Sequence, residues 1–169
     1  MLCAAWELYI EEITVEIANK LISNADSPSG LPQPVQKNLS KYVREHNHDL
    51  KPLELAGAGW ERVYSSLVQE VVGKLNTPKA GPIDQMSSAL VGWKEPSQAW
   101  VLGRAFINEF VSIRGDIAHR GSDANYVRIG ALREYRDGVL ATVIQHDNAA
   151  AEFVRDSTNG RFPWRRRQV

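Results

Sequence analysis

Apolar residues recur at helical spacing along almost the whole chain. Trp6, Ile10, Ile13, Ile17 and Leu21 form one stripe with acids on the opposite face, which predicts a first helix. The turn-forming run Asn24-Ala25-Asp26-Ser27-Pro28-Ser29-Gly30 ends it. A weaker pattern predicts a second helix from Pro34 to about His46, followed by a polar loop with Asp49 and Pro52. The cleanest stripe is Trp60, Val63, Tyr64, Leu67, Val68, Val71, Val72 and Leu75. The third helix it predicts contains Gly73, at a cost of about 1 kcal/mol relative to Ala. Asn76-Thr77-Pro78 stops that helix, because proline disfavours helical dihedrals for the residue before it. Ile83 to Val91 reads as a short helix. Ser97 to Ile113 reads as another, with Trp100, Leu102, Phe106 and Phe110 inward. After Arg120-Gly121-Ser122-Asp123 a long helix is expected from about Asn125 to Asp156. No alternating run bounded by turns calls for a strand. The expected fold is all-α, a single antiparallel bundle of five to seven helices. One domain should cover residues 1–158, with 159–169 as a basic tail. The last nine residues carry four Arg and no acid, and are expected to be poorly ordered.

Composition narrows the class. A chain of 169 residues suits one domain, and 43% hydrophobic with 24% charged residues excludes whole-chain disorder. Lys+Arg (20) and Asp+Glu (20) cancel, so a polyanion partner would need a local basic surface. No stretch free of charged residues exceeds ten, which excludes a transmembrane helix. The acids Glu7, Glu11 and Glu12 near the start, with no basic region before them, do not fit a signal peptide. A lone cysteine, Cys3, fits a reducing cytoplasm. One Cys and four scattered His leave too few ligands for a structural zinc site, and no cofactor is implied.

One segment departs from the amphipathic pattern: Ile113-Arg114-Gly115-Asp116-Ile117-Ala118-His119-Arg120-Gly121. On a straight helix Arg114 and His119 diverge by about 140°, so convergence on one substrate needs a helix end or a distortion, which Gly115 makes inexpensive. A histidine exchanges protons near neutral pH, and an arginine grips a phosphate and stabilises charge developing on it. Together they are the parts needed to cleave RNA through its own 2′-hydroxyl. The substrate supplies the nucleophile, and DNA lacks it. Spacing alone is non-specific. Arg114 paired with a surface acid and His119 at a helix end would read the same way.

The segment resembles the R-x4-6-H signature of the HEPN superfamily, all-α domains of which many are metal-independent endoribonucleases. Trp6-Glu7-Leu8-Tyr9-Ile10-Glu11-Glu12 is similar to the RiboL-PSP-HEPN branch. So are Pro52-Leu53-Glu54-Leu55-Ala56-Gly57 with Gly59-Trp60, Lys74-Leu75-Asn76-Thr77-Pro78-Lys79, and Ile113 to Gly121. The resemblance spans roughly Ala5 to Val154. It implies Arg114 and His119 as the catalytic pair. The neighbouring Arg120 could add positive potential for RNA at the cleft mouth. The resemblance also implies a homodimer in which two motifs face each other, and a setting in toxin–antitoxin or antiviral defence with an antitoxin or defence-system partner. Two departures bear on activity. Gly115 stands where relatives commonly carry Asn or another polar residue, and Gly121 stands where some HEPN toxins carry a modified Tyr. Gly115 keeps a second reading open: a non-catalytic HEPN module that binds RNA, nucleotide or a protein partner.

Other chemistry-bearing residues have structural readings. Arg114-Gly115-Asp116 spells an integrin-type tripeptide but follows an apolar helix in a chain with no extracellular features. His46 and His48 lie in a polar turn with no third metal ligand evident. His146 falls on the apolar stripe of the last helix and reads as a core or interface histidine with a satisfied hydrogen bond. Trp6, Trp60 and Trp100 read as core. Trp164 could stack on bases while Arg165, Arg166 and Arg167 contact phosphates, or belong to a solubilising tail.

Overall fold

The computed structural model describes residues 2–120, 129–158, 160 and 162–168, with side chains for all of these except 114–120. Among the described residues the chain forms six α-helices and no strand. They are α1 (Leu2–Ser23), α2 (Gln33–Arg44), α3 (Gly59–Val72), α4 (Ala80–Leu90), α5 (Gly103–Arg120) and α6 (Ile129–Thr158). Short 3-10 turns occupy Pro28–Gly30, Lys51–Leu55 and Pro96–Ala99.

α1 is the pillar of the bundle. It packs against α6 and α3, while α2 packs against α4. Its stripe of Trp6, Ile10, Ile13, Ile17 and Leu21 is buried as the spacing requires. Trp60, Val63, Tyr64, Leu67 and Val68 of α3 meet the same core. Three buried polar side chains tie elements together. Trp6 Nε1 donates to the Pro78 carbonyl at 2.8 Å, and Tyr64 Oη donates to the Leu90 carbonyl at 2.6 Å. Trp100 Nε1 donates to His146 Nδ1 at 3.0 Å. Each gives a large aromatic its apolar burial without an orphaned donor. His146 is therefore the satisfied core histidine expected, and the three core tryptophans are 1–3% exposed.

Four expectations are corrected. α3 ends at Val72, and Gly73 donates its N–H back to the Gln69 carbonyl at 3.1 Å, so the glycine terminates the helix instead of sitting inside it. Leu75 still reaches the core from the turn beyond. The single helix expected over 97–113 is a 3-10 turn followed by α5. The buried Asp84 carboxylate accepts both the backbone N–H (3.0 Å) and the hydroxyl (2.7 Å) of Ser97, and the Trp100 side chain dives into the core. The helix breaks at Trp100, whose backbone is extended (φ −83°, ψ 113°). The chain then re-enters a helix at Gly103, whose φ of +76° suits glycine. As a result Leu102 lies outward, 48% exposed, not inward. The fourth concerns the described part of the tail, which lies along α6 in defined contacts. The expected start of the last helix at Asn125 lies outside the described residues, and the helix runs two residues past Asp156, to Thr158.

α5 and α6 form an antiparallel hairpin: Val101 meets Gln145, Phe106 lies beside Gly138, and Phe110 meets Tyr135. Gly138 sets their spacing. A Cβ there would lie 2.3 Å from Phe106 Cζ, so any larger residue requires the Phe106 ring and the Leu102 side chain to shift.

Candidate functional site

The motif occupies the last turns of α5, and the packing of the earlier turns fixes where that helix points. Ile107, Phe110 and Val111 are buried. Asn108 Oδ1 accepts the Ala80 N–H at 2.9 Å, which satisfies an orphan donor in the first turn of α4. Tyr135 stacks between Phe106 and Phe110 and donates its hydroxyl to Glu109 at 3.1 Å. α5 is thus clamped on α4 and α6 up to Val111.

The helix continues through Gly115 to Arg120 without a break in its backbone. Register then places position 114 within about 20° of Ile107 on the helix wheel, and position 119 about 140° round from 114. Of the two routes to convergence, no distortion interrupts the backbone between them, while α5 ends at Arg120, one residue after His119. The side chains of Arg114, His119 and Arg120 lie outside the described residues, as do Gly121 and Tyr126.

The segments that carried the family resemblance have clear structural jobs. Trp6 of the first is bonded to Pro78 of the third. Glu54 of the second is bridged by Lys51 at 3.1 Å, with Arg62 at 3.8 Å, and its carboxyl is held below the usual range chiefly by the Lys51 hydrogen bond. Gly59 sits so close to the Glu54 carbonyl that an added Cβ would lie 2.2 Å from it. These residues fix the Lys51–Leu55 turn on α3 and the start of α1 on the turn before α4.

Other candidates fall out plainly. His46 and His48 are exposed in a turn where the His48 N–H meets His46 Nδ1 at 3.2 Å. Among the described residues no group of three or more His, Cys, Asp or Glu could hold a metal ion, and no helix is long and apolar enough to cross a membrane. Glu11 and Glu12 line an open groove between α1 and α3, and the Glu11 carboxyl is pushed up by partial burial and then by Glu7 and Glu12. An acidic groove of this kind repels phosphate. Trp164 does not present a free ring to bases: its Nε1 donates to the Asp147 carbonyl at 3.3 Å, and it is half-buried against the core.

Sequence reading passed over Asp147. It is 7% exposed on α6, with Arg167 Nε 3.3 Å from its Oδ2. The signal was an acid next to His146 on the apolar side of a long helix.

An all-α bundle with an Arg-x4-His motif on the end of a clamped helix defines a HEPN-type domain. The model of the RiboL-PSP-HEPN family matches residues 1–152, and the chain belongs to that family. No curated protein and no solved structure matches it.

Proposed function

We propose that this chain is a metal-independent endoribonuclease that cleaves RNA through the 2′-hydroxyl of its substrate. Arg114 grips and stabilises the scissile phosphate, His119 moves the proton, and Arg120 adds positive potential. The reading rests on an Arg-x4-His pair on the last turns of α5 in a chain of the RiboL-PSP-HEPN family. A continuous helix sends positions 114 and 119 to different sides, which favours a cleft shared between the two subunits of a homodimer, each supplying part of the chemistry. Residues 1–158 act as one domain with 159–169 as its tail, and the setting is a cytoplasmic toxin–antitoxin or antiviral system with a cognate protein partner.

The test is incubation of purified protein with mixed RNA in EDTA beside His119→Ala. Cleavage in EDTA leaving 2′,3′-cyclic phosphate ends, lost in the variant, is expected. Activity abolished by EDTA and restored by Mg²⁺ or Mn²⁺ would overturn the mechanism. Gly115 favours a second reading, a non-catalytic module that binds RNA, nucleotide or protein through the same cleft. RNA binding without cleavage in either protein would select it.

A further inference from the structure

The described residues at the chain's end are held on α6 in the manner of a bound peptide. After α6 the Gly160 N–H returns to the Arg155 carbonyl at 3.2 Å, and Phe162 packs its ring under the Arg155 guanidinium, 4.7 Å from the centroid. The chain then runs back along the helix. Trp164 inserts half-buried and donates to the Asp147 carbonyl. Arg166 pairs with Glu152. At Arg167 one side chain reads the backbone in both directions: Asn148 Oδ1 accepts the Arg167 N–H at 2.8 Å, and Asn148 Nδ2 donates to the Arg167 carbonyl at 2.9 Å. This two-way amide clamp recognises extended backbone whatever the side chain. Selectivity comes from the neighbours. Asp147 is buried, its Oδ2 has no hydrogen-bond partner among the described residues, and the nearest cation is Arg167. An unpaired carboxylate taken out of water is costly, so the site favours a cation at that position.

The occupant is held weakly. The arginine side chains are 58% and 70% exposed, and ion pairs so open contribute little. The half-buried indole with its hydrogen bond, the Phe162–Arg155 contact and the two Asn148 bonds carry the rest.

We infer that the Asp147–Asn148–Glu152 face of α6 is a peptide-binding site for an extended Trp-x-Arg-Arg segment, and that the chain's own residues 164–167 are its exchangeable occupant. The partner it fits is an arginine-bearing extended segment of another protein, which must displace the tail to bind. The site lies about 20 Å along α6 from Tyr135, against which Phe110 of α5 packs, so it is a separate surface from the motif end of α5.

The experiment uses the full chain with Trp164→Ala, Arg166→Ala and Arg167→Ala together, which removes the tail's side-chain contacts and leaves it only the Asn148 backbone bonds, with α6 unaltered. A fluorescent peptide of residues 161–169 is titrated by anisotropy against it. Saturable one-to-one binding is expected. The affinity should be at least about tenfold weaker for the unaltered chain, whose site is filled, and about tenfold or more weaker when Asn148→Ala is added. A folded triple variant that does not bind the peptide, or binding indifferent to Asn148→Ala, would overturn the inference. Should the triple variant lose its helical signal, the full-length Asn148→Ala protein decides. Faster trypsin cleavage at Arg165–Arg167 with unchanged helix content supports an exchangeable occupant, and unchanged protection shows a fixed part of the fold.

Discussion

The two halves of α6 do different work. Its second half is enclosed: Thr142, His146, Asp147, Ala150, Ala151 and Val154 are all buried against α1, the Pro96–Ala99 turn and the returning tail. Among the described residues its first half buries none fully before Gly138, Tyr135 being partly covered by Phe106 and Phe110. Ile129, Leu132 and Leu140 are 72%, 50% and 58% exposed there, and their spacing puts them on one stripe. A single helix thus serves as a core strut at one end and an uncovered apolar face at the other. The lesson is a separation of stability from activity: changes near the motif should spare folding, and changes in the enclosed half should not.

The largest expected effect breaks activity alone. Arg114→Ala and His119→Ala should each lower RNA cleavage by about two orders of magnitude or more. Melting temperatures should stay near that of the unaltered protein. A collapse of the fold in either variant would place the motif in the core and erase the contrast.

Next comes the contact that holds the hairpin together. Gly138→Ala forces a methyl into Phe106 and should destabilise by about 1–3 kcal/mol, read as a lower urea midpoint at unchanged slope. A neutral result would show that α5 and α6 can separate cheaply, and that the motif is less firmly mounted than the packing implies.

The enclosed half should also reveal itself through pH. Burial lowers the His146 pKa from 6.5 to about 3. The unfolded chain therefore binds a proton below pH 6.5 that the folded chain refuses until about pH 3. Stability from this group is full above 6.5 and falls as the pH drops through that window, by about 1.4 kcal/mol per unit. Denaturation midpoints compared at pH 7.5 and 5.5 should show the loss, and His146→Phe should remove that part of the slope despite forfeiting the Trp100 hydrogen bond. An identical slope in the variant would mean that another group drives acid unfolding.

Smaller thermodynamic effects are expected at the open end. Ile129→Glu with Leu132→Glu should change stability by no more than about 0.5 kcal/mol, as exposed substitutions do, yet should dissociate the proposed homodimer in light scattering. A dimer that survives both charges uses another face. Smallest of all is Gly115→Asn. Glycine inside a helix is costly, so a stability gain of a few tenths of a kcal/mol is expected, with faster cleavage where glycine loosens the arginine beside it. Unchanged rate and unchanged melting would show that position 115 carries no weight.

The helices were legible because burial in this fold follows simple periodicity. Trp6 to Leu21 and Trp60 to Val72 each present one unbroken apolar face to one core. The misreadings occurred where that signal does not decide the backbone. The chain turns extended at Trp100, although the apolar spacing of Trp100, Phe106 and Phe110 suggested one continuous helix. The tail looked unstructured by charge, but Asn148 and Asp147 lie within α6 and give no local cue that they face residues nineteen and twenty positions on. The Arg-His pair was visible as a motif and as a resemblance. Its register on an uninterrupted helix was not, because Gly115 suggests a break that the backbone does not make.

The pairing of α1 with α6 has a consequence for how the chain comes into being. Tyr9 Oη donates to the Val143 carbonyl, 134 residues away. During synthesis the tryptophan and isoleucine face of α1 therefore stays only partly covered until the residues up to α6 have followed it out of the ribosome. The α1–α6 seam is thus a contact of high sequence separation, the kind that forms late and slowly in folding.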